Sequence, residues 1–337
     1  WAYETYWMRQ ERGAVGPSAM TGHWLIVHMP STTLLSTQLE KHIISVGGEV
    51  TGVDLWGPEG LEISLKTISK PIHRVVVLVG LSQGSENLDF PMNELVEFCG
   101  LVQDLHKSDI LAPLWIVTQG AVSTEEDCPI LELFTAPFWG LGRCLALECP
   151  KSFGGLVDLP VAPLIDLSEE FLGGLLTEMS APGEEDQVAL RAHGRYVRRL
   201  KKMGIKKPWK TNVGSGTFLI TGGLGALGAR AARWLARKGV SHLVLISRRG
   251  IDSPNAKSLV GELEGLGAQV QVISCDLSQR SHVENLLMEI KPEFQALVGI
   301  IHAAGTLDFQ DFHALSKEDF EWAFGAKVWG AWNLHSI

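Results

Sequence analysis

Cysteine is sparse in this chain of 337 residues, and no pattern pairs what there is. The five cysteines, Cys99, Cys128, Cys144, Cys149 and Cys275, are odd in number and scattered, with no CxxC spacing. Cys144 and Cys149 lack the histidine neighbours of a zinc site. This excludes a disulfide-stapled secreted scaffold and leaves no metal site to expect. It points to free thiols in a reducing, cytoplasmic compartment. Long apolar runs are missing too. No stretch reaches the length of a membrane span and no signal-peptide pattern opens the chain, so no membrane partner is expected. Positive charge is in deficit, 29 Lys and Arg against 38 Asp and Glu, and the formal net charge of -9 argues against nucleic acid as a partner. Tyrosine is scarce, with three residues at Tyr3, Tyr6 and Tyr196.

What is present begins with Thr217-Phe218-Leu219-Ile220-Thr221, an apolar strand running into Gly222-Gly223-Leu224-Gly225-Ala226-Leu227-Gly228. Gly223, Gly225 and Gly228 make a Gly-x-Gly-x-x-Gly pattern, and a helix-like run follows at once. A dinucleotide pyrophosphate needs that order. The glycines allow a tight turn, close approach of backbone to phosphate, and close packing of helix on strand. The helix N-terminus offers unpaired N–H groups to the anion.

The next strand, 242–246, leads into Ser247-Arg248-Arg249-Gly250. An NAD site places Asp or Glu roughly 20 residues beyond the glycine loop, to hold the ribose 2′-hydroxyl. Two guanidinium groups stand here instead. They suit a 2′-phosphate, to which arginine makes directional bidentate contacts. The reading is NADPH in preference to NADH.

Strand and helix signals alternate along the whole chain, and the length suffices for two α/β units. In the first half, strands are expected at 24–27, 50–53, 74–79, 114–117 and 156–159, and helices at 34–44, 92–106, 131–147 and 168–179. A hairpin is expected from 187–191 to 195–199, turning at His193-Gly194. Where this half would need phosphate-binding glycines it has His28-Met29-Pro30-Ser31-Thr32. A basic linker, 201–210, follows. The second half has expected strands at 217–221, 242–246, 269–274 and 297–301, with helices at 226–238, 256–266 and 279–290. The fold class is therefore α/β: two Rossmann-like subdomains with parallel sheets, 1–210 degenerate and without cofactor, 211–337 nucleotide-binding.

Three further groups fall where the crevice of such a fold should lie. Cys275-Asp276-Leu277 follows the third strand, where Asp276 either accepts from the adenine amino group or caps the next helix. His302-Ala303-Ala304-Gly305 follows the fourth, its small residues leaving room for a cofactor, while His302 taken alone reads as a structural side chain more readily than as a ligand. Lys327 sits between Gly325 and Gly330 on a mostly apolar final helix that has no stop signal after Leu334.

In combination these pieces resemble the ketoreductase domain of a bacterial-type modular polyketide synthase, a relative of the short-chain dehydrogenases/reductases. The resemblance rests on Thr221–Gly228, Leu245-Ile246-Ser247-Arg248-Arg249-Gly250, Cys275-Asp276-Leu277, His302-Ala303-Ala304-Gly305 and 326–335. In the first half it rests on 114–121, 138–143, 146–148, 154–160 and 186–191. It implies a cofactor-free structural subdomain followed by an NADPH-binding one. It also implies reduction of a β-ketoacyl group held on an acyl carrier protein, among neighbouring domains of one synthase. Thr221, Gly222, Gly223, Leu224, Gly225, Ala226, Leu227, Gly228, Ser247, Arg248, Arg249, Asp276, Leu277, His302, Ala303, Ala304 and Gly305 would hold the cofactor, and Lys327 would be catalytic. In that family the lysine lowers the pKa of a proton-donating tyrosine and anchors the nicotinamide ribose, and a serine steadies the carbonyl oxygen.

Two departures stand out. No tyrosine occurs after Tyr196, so the expectation is of a sequence cut before its Ser and Tyr, from a longer polypeptide whose ends lie outside Trp1 and Ile337. Where some ketoreductases carry Leu-Asp-Asp, this chain has Leu307-Asp308-Phe309, which leaves the hand of the product alcohol open. Two alternatives remain beside the enzyme reading: a structural domain that organises neighbouring synthase domains, and a free-standing reductase or epimerase of the extended type.

Overall fold

The computed structural model describes residues 2–11, 20–55, 68–80, 92–124, 133–160, 168–180, 183–204, 216–294, 296–306 and 310–336. It divides into two compact α/β units. The first is Trp1–Ile205 with Asp311–Leu315, and the second is Lys206–Gln310 with Ser316–Ile337.

The first unit has strands β1 (Tyr3–Arg9), β2 (His23–His28), β3 (Glu49–Asp54), β4 (Arg74–Leu78), β5 (Leu114–Gln119), β6 (Phe153–Leu159), β7 (Gln187–Arg191) and β8 (Gly194–Lys202). Its helices are α1 (Thr33–Ser45), α2 (Met92–Lys107), α3 (Ala136–Glu148) and α4 (Glu169–Ser180). The sheet runs β1-β8-β7-β6-β5-β4-β2-β3. β2 to β7 are parallel, and β8 and β1 add an antiparallel edge. Central strands such as Val75-Val76-Val77 and Leu114–Gln119 are buried along their length, as strands covered on both faces must be. α2 buries Leu95, Phe98, Val102 and Leu105, one stripe at helical spacing.

Sequence patterning missed β1. It pairs in register with β8, from Tyr3 opposite Lys202 to Arg9 opposite Tyr196. The helix expected from 131 begins at Ala136, with Pro137 in its first turn. That proline was the available signal, because proline fits the first turn of a helix and no later one. Residues 131 and 132 of that expectation, Cys128, most of the 201–210 linker and Leu307-Asp308-Phe309 lie outside the described residues.

The strand end that lacks glycines is closed by its own side chain. Pro30–Thr32 forms a 3-10 turn, and Thr32 Oγ1 accepts from the Met29 N–H at 3.1 Å and lies 3.2 Å from the Leu78 carbonyl. Further along the same sheet edge, Asp158 is fully buried. Its Oδ1 accepts from Thr118 Oγ1 at 2.7 Å and from the Ala121 N–H at 2.9 Å, and its Oδ2 accepts from Arg191 Nη2 at 2.7 Å.

The second unit has β9 (Thr217–Thr221), β10 (His242–Ser247), β11 (Gln269–Ser274) and β12 (Leu297–His302), all parallel, in the order β11-β10-β9-β12. Its helices are α5 (Ala226–Arg237), α6 (Ala256–Gly265), α7 (Arg280–Glu289), α8 (Lys317–Phe324) and α9 (Gly330–Ser336), and a π-turn, Gly325–Trp329, joins the last two. Alternate strand residues serve opposite faces. Ile220, Leu243 and Leu245 pack with Ala232, Leu235, Leu259 and Leu263, whereas Leu219, Val244 and Ile246 pack with Val283 and Leu286. The strand order reverses at β9, between β10 and β12, where doubly wound sheets open a crevice for ligand.

Against the expected division at 210/211, the units divide after Ile205, and one later segment changes unit. Asp311–Leu315 belongs to the first unit. Phe312 is buried there, its N–H donates to Glu148 Oε2 at 2.8 Å, and Gln103 Nε2 donates to the Leu315 carbonyl at 3.1 Å. The chain then returns to the second unit at Ser316, which caps α8 in a reciprocal capping box with Asp319.

Candidate nucleotide site and family membership

The switch point carries a cleft of 940 Å³, built wholly from the second unit. Gly222, Leu224 and Gly225 form one wall, Ser247, Arg248 and Arg249 a second, and Cys275, Asp276 and Leu277 a third. Ala304 and Gly305 come from the end of β12, and Gly325 and Ala326 from the π-turn.

The glycines are there for stated reasons. Gly222 has φ +60°, a left-handed conformation that side chains resist. A Cβ on Gly228 would stand 2.2 Å from the Gly222 carbonyl oxygen, so only glycine lets α5 approach the turn. α5 begins at Ala226 with Gly225 as its N-cap, so no side chain caps its first turn and no acidic residue lies in it. The helix N-terminus is left to an anion. Arg248 and Arg249 are exposed at the far wall, and the Arg248 carbonyl accepts from Ser274 Oγ at 2.8 Å. Glycine cradle, uncapped helix end and paired guanidinium groups fit a phosphorylated dinucleotide.

Asp276 does not cap the following helix, because α7 starts at Arg280 with Gln279 as its N-cap. Instead Oδ1 accepts from the Ser278 N–H at 3.1 Å and Oγ at 2.8 Å, a local turn that holds the carboxylate at the cleft wall. Ser247 Oγ lies 2.9 Å from Ser253 Oγ. Burial, with the neighbouring Asp276 charge adding to it, pushes the Cys275 thiol up to about 11, so it stands in the cleft as a neutral group.

Other expected residues take supporting places. Thr221, Gly223, Ala226, Leu227, Gly228, His302 and Ala303 do not line the cleft. Thr221 is fully buried and Leu227 is 74% exposed. Gly223 is confined between the Ile220 carbonyl and Leu245. Lys327 is exposed at the cleft rim, and its Cε would lie 3.2 Å from a Cβ placed on the cleft residue Gly305. Sequence reasoning missed Ser253, Asn255, Thr306, Glu321 and Trp322, which also line the cleft. None of them carried a sequence signal: even Trp322 is one of three aromatics, with Phe320 and Phe324, in its helix.

Fold and site together define a Rossmann-type unit whose cleft fits a dinucleotide, in a chain whose other α/β unit shows no glycine loop of this kind among the described residues. Two family models match the chain: "KR domain" over residues 216–337, and "Polyketide synthase extender module SpnB, Rossmann fold domain" over residues 32–200. The chain is 36% identical over 330 residues to polyketide synthase GfsA of Streptomyces halstedii, covering 94% of this chain and 4% of that protein. It is 33% identical over 335 residues to pikromycin polyketide synthase component PikAIII of Streptomyces venezuelae, covering 98% of this chain and 20% of that protein. Among solved structures, an A-type ketoreductase from a modular polyketide synthase superposes with a TM-score of 0.82 at 30% identity, over 99% of this chain and 70% of that one. The first ketoreductase of the tylosin synthase gives 0.81 at 32%, over 99% and 69%. The chain belongs to the ketoreductase domains of modular polyketide synthases. Such domains are reductases of the kind that binds NAD(P)H, and the curated relatives it matches are far longer, multidomain synthase components. No helix among the described residues is long and apolar enough to cross a membrane, and those residues hold no cluster suited to a metal ion.

Proposed function

We propose that this chain forms the NADPH-binding part of a reductase that converts a β-ketoacyl group, carried on an acyl carrier protein of the same synthase, to the β-hydroxyacyl group, in the cytoplasm. The observation that carries the reading is the pairing of an uncapped glycine-loop helix with Arg248 and Arg249 across one cleft. Bound there, NADPH supplies the hydride. The α5 N-terminus would hold the pyrophosphate, and the two guanidinium groups would hold the 2′-phosphate with charge-assisted bonds. Asp276, held at the cleft wall, would accept from the adenine amino group. Ala304 and Gly305, without bulk, leave room for the nicotinamide half. Lys327 stands at the rim beside Gly305, where its charge would favour the ionised form of a phenolic proton donor and its ammonium would donate to a ribose hydroxyl. Tyr3 and Tyr6 lie on β1 and Tyr196 on β8, none of them in the nucleotide-binding unit. The first unit, its strand ends closed by Thr32 and by the Asp158 network, serves as a scaffold.

The test is cofactor preference. Wild-type protein and Arg248→Glu are titrated with NADPH and with NADH. The expected result is a selective loss for NADPH of about 1.5–3 kcal/mol, roughly tenfold to a hundredfold. Equal losses for both cofactors would leave the arginines as surface charge and remove the basis for NADPH.

A further inference from the structure

His302 lies beside the cleft without lining it, yet both of its ring nitrogens are bonded. Nδ1 is 2.8 Å from Thr221 Oγ1, and Nε2 is 3.0 Å from the Ala326 carbonyl oxygen. A carbonyl can only accept, so Nε2 carries the hydrogen and Nδ1 is the acceptor. The Thr221 hydroxyl therefore donates to Nδ1. Its lone pairs in turn accept from the Ala303 and Ala304 N–H groups, each at 3.2 Å. Every donor and acceptor of this relay is used, and the imidazole is fixed as the neutral Nε2–H tautomer.

The far end of the relay falls at a special place in the helix. In an α-helix the Gly330 N–H would donate to the Ala326 carbonyl, four residues back. Here it donates to Gly325 instead, the spacing of a π-turn. Isolated π-turns cluster at functional sites, and this one carries Lys327. His302 supplies a donor to the carbonyl that Gly330 does not serve. The ring packs against the end of this turn: a Cβ on Gly330 would lie in ordinary contact with His302 Cε1, at 3.5 Å, and closer to Leu277 Cβ, at 3.1 Å.

We infer that His302 is a positioning residue: by bonding the Ala326 carbonyl within the π-turn, and with its tautomer set by Thr221, it seats Lys327 at the rim of the cleft. The inference rests on the proposed reductase reading for what Lys327 does once seated, but the bonding itself does not. The groups facing the imidazole are the Thr221 hydroxyl from β9 and the Ala326 carbonyl and Gly330 from the helix, all uncharged. Burial lowers the imidazole below its ordinary value of 6.5, while the Ala326 carbonyl pulls partly back. Protonation would place a second hydrogen against the Thr221 hydroxyl and reverse the relay.

The test uses the full-length polypeptide containing this chain, as wild type, His302→Phe, His302→Gln and Thr221→Val. Phenylalanine keeps the ring volume and removes both nitrogens. Glutamine places an amide N–H where Nε2 stands. With a β-ketoacyl thioester and NADPH, kcat of His302→Phe is expected to fall about tenfold to a hundredfold, the scale of a slightly misplaced group. The dissociation constant for NADPH should change little, because the glycine loop and arginines are untouched. His302→Gln should recover most of kcat, and Thr221→Val should fall with His302→Phe. Two readouts need no turnover. Imidazole nitrogen NMR should show His302 as the neutral Nε2–H form down to below pH 6.5, and the rate at which an amine-acylating reagent labels Lys327 should change in His302→Phe and return in His302→Gln. If wild type neither binds NADPH nor reduces the thioester, the reductase reading fails, and the NMR and labelling results still decide the role of His302. An Nδ1–H tautomer, unchanged Lys327 labelling in His302→Phe, or kcat, NADPH affinity and thermal midpoint falling together without rescue by glutamine would overturn the inference.

Discussion

Arg191 Nη2 meets Asp158 Oδ2 at 2.7 Å with both side chains buried. The same guanidinium donates to the carbonyls of Asp158 at 3.0 Å and Val122 at 2.7 Å, and Trp139 Nε1 donates to Thr118 Oγ1 at 2.8 Å beside them. The carboxyl ends of these strands thus satisfy their own polar groups, whereas at the corresponding strand end within the second unit the helix N-terminus has no side-chain cap. Removing one partner strands the other in a buried place. Arg191→Met is expected to lower stability by about 3–5 kcal/mol, read as an earlier urea midpoint with the slope unchanged. A loss below about 1 kcal/mol would put this pair in the class of solvated surface ion pairs.

Gly228 separates packing from chemistry. Gly228→Ala puts a methyl where only 2.2 Å is open to the Gly222 carbonyl. Overpacking of that kind costs about 1–3 kcal/mol, and here the strain falls on the phosphate turn. NADPH affinity is expected to drop by that amount in calorimetric titration, with the first unit's unfolding unaffected. Unaltered affinity would mean the turn adapts and the close approach of α5 is unnecessary.

Much of this site was legible because its signals are local. Strand 217–221, the glycines after it and the two arginines after β10 each announce themselves within a dozen residues of chain. The parallel strands of the first unit were equally visible as buried runs. What escaped depends on partners distant in sequence. β1 is a strand because β8, at the other end of the unit, is there to pair with it. Asp311–Leu315 joins the first unit through Glu148 and Gln103, which no periodicity reveals. His302 read as one of several small-loop residues near the cofactor. Its bonds to Thr221 and Ala326, which tie strand to helix, depend on residues 81 and 24 positions away and were not legible.

Acid should weaken the second unit through His302. The folded imidazole titrates below its ordinary 6.5, so it favours the neutral form. The stability tied to it is fully present above 6.5 and is lost as pH falls from there towards the lower folded value. Thermal midpoints of wild type are expected to decline over that window. His302→Gln, with nothing to titrate, should decline less. Parallel curves for the two proteins would show that other groups govern the acid limb.

Turnover with the natural class of substrate is the most direct measurement. The full-length polypeptide, wild type and Lys327→Ala, is supplied with NADPH and a β-ketoacyl group on an acyl carrier protein, and the carrier is weighed by mass spectrometry while NADPH oxidation is followed. The account predicts a gain of two hydrogens on the wild-type carrier in step with NADPH loss. Lys327→Ala should be slower by about a hundredfold or more, the range general acid catalysis supplies, with NADPH still bound through the glycine loop. Wild-type protein that binds NADPH and leaves the ketone unreduced, or a Lys327→Ala protein as fast as wild type, would contradict it.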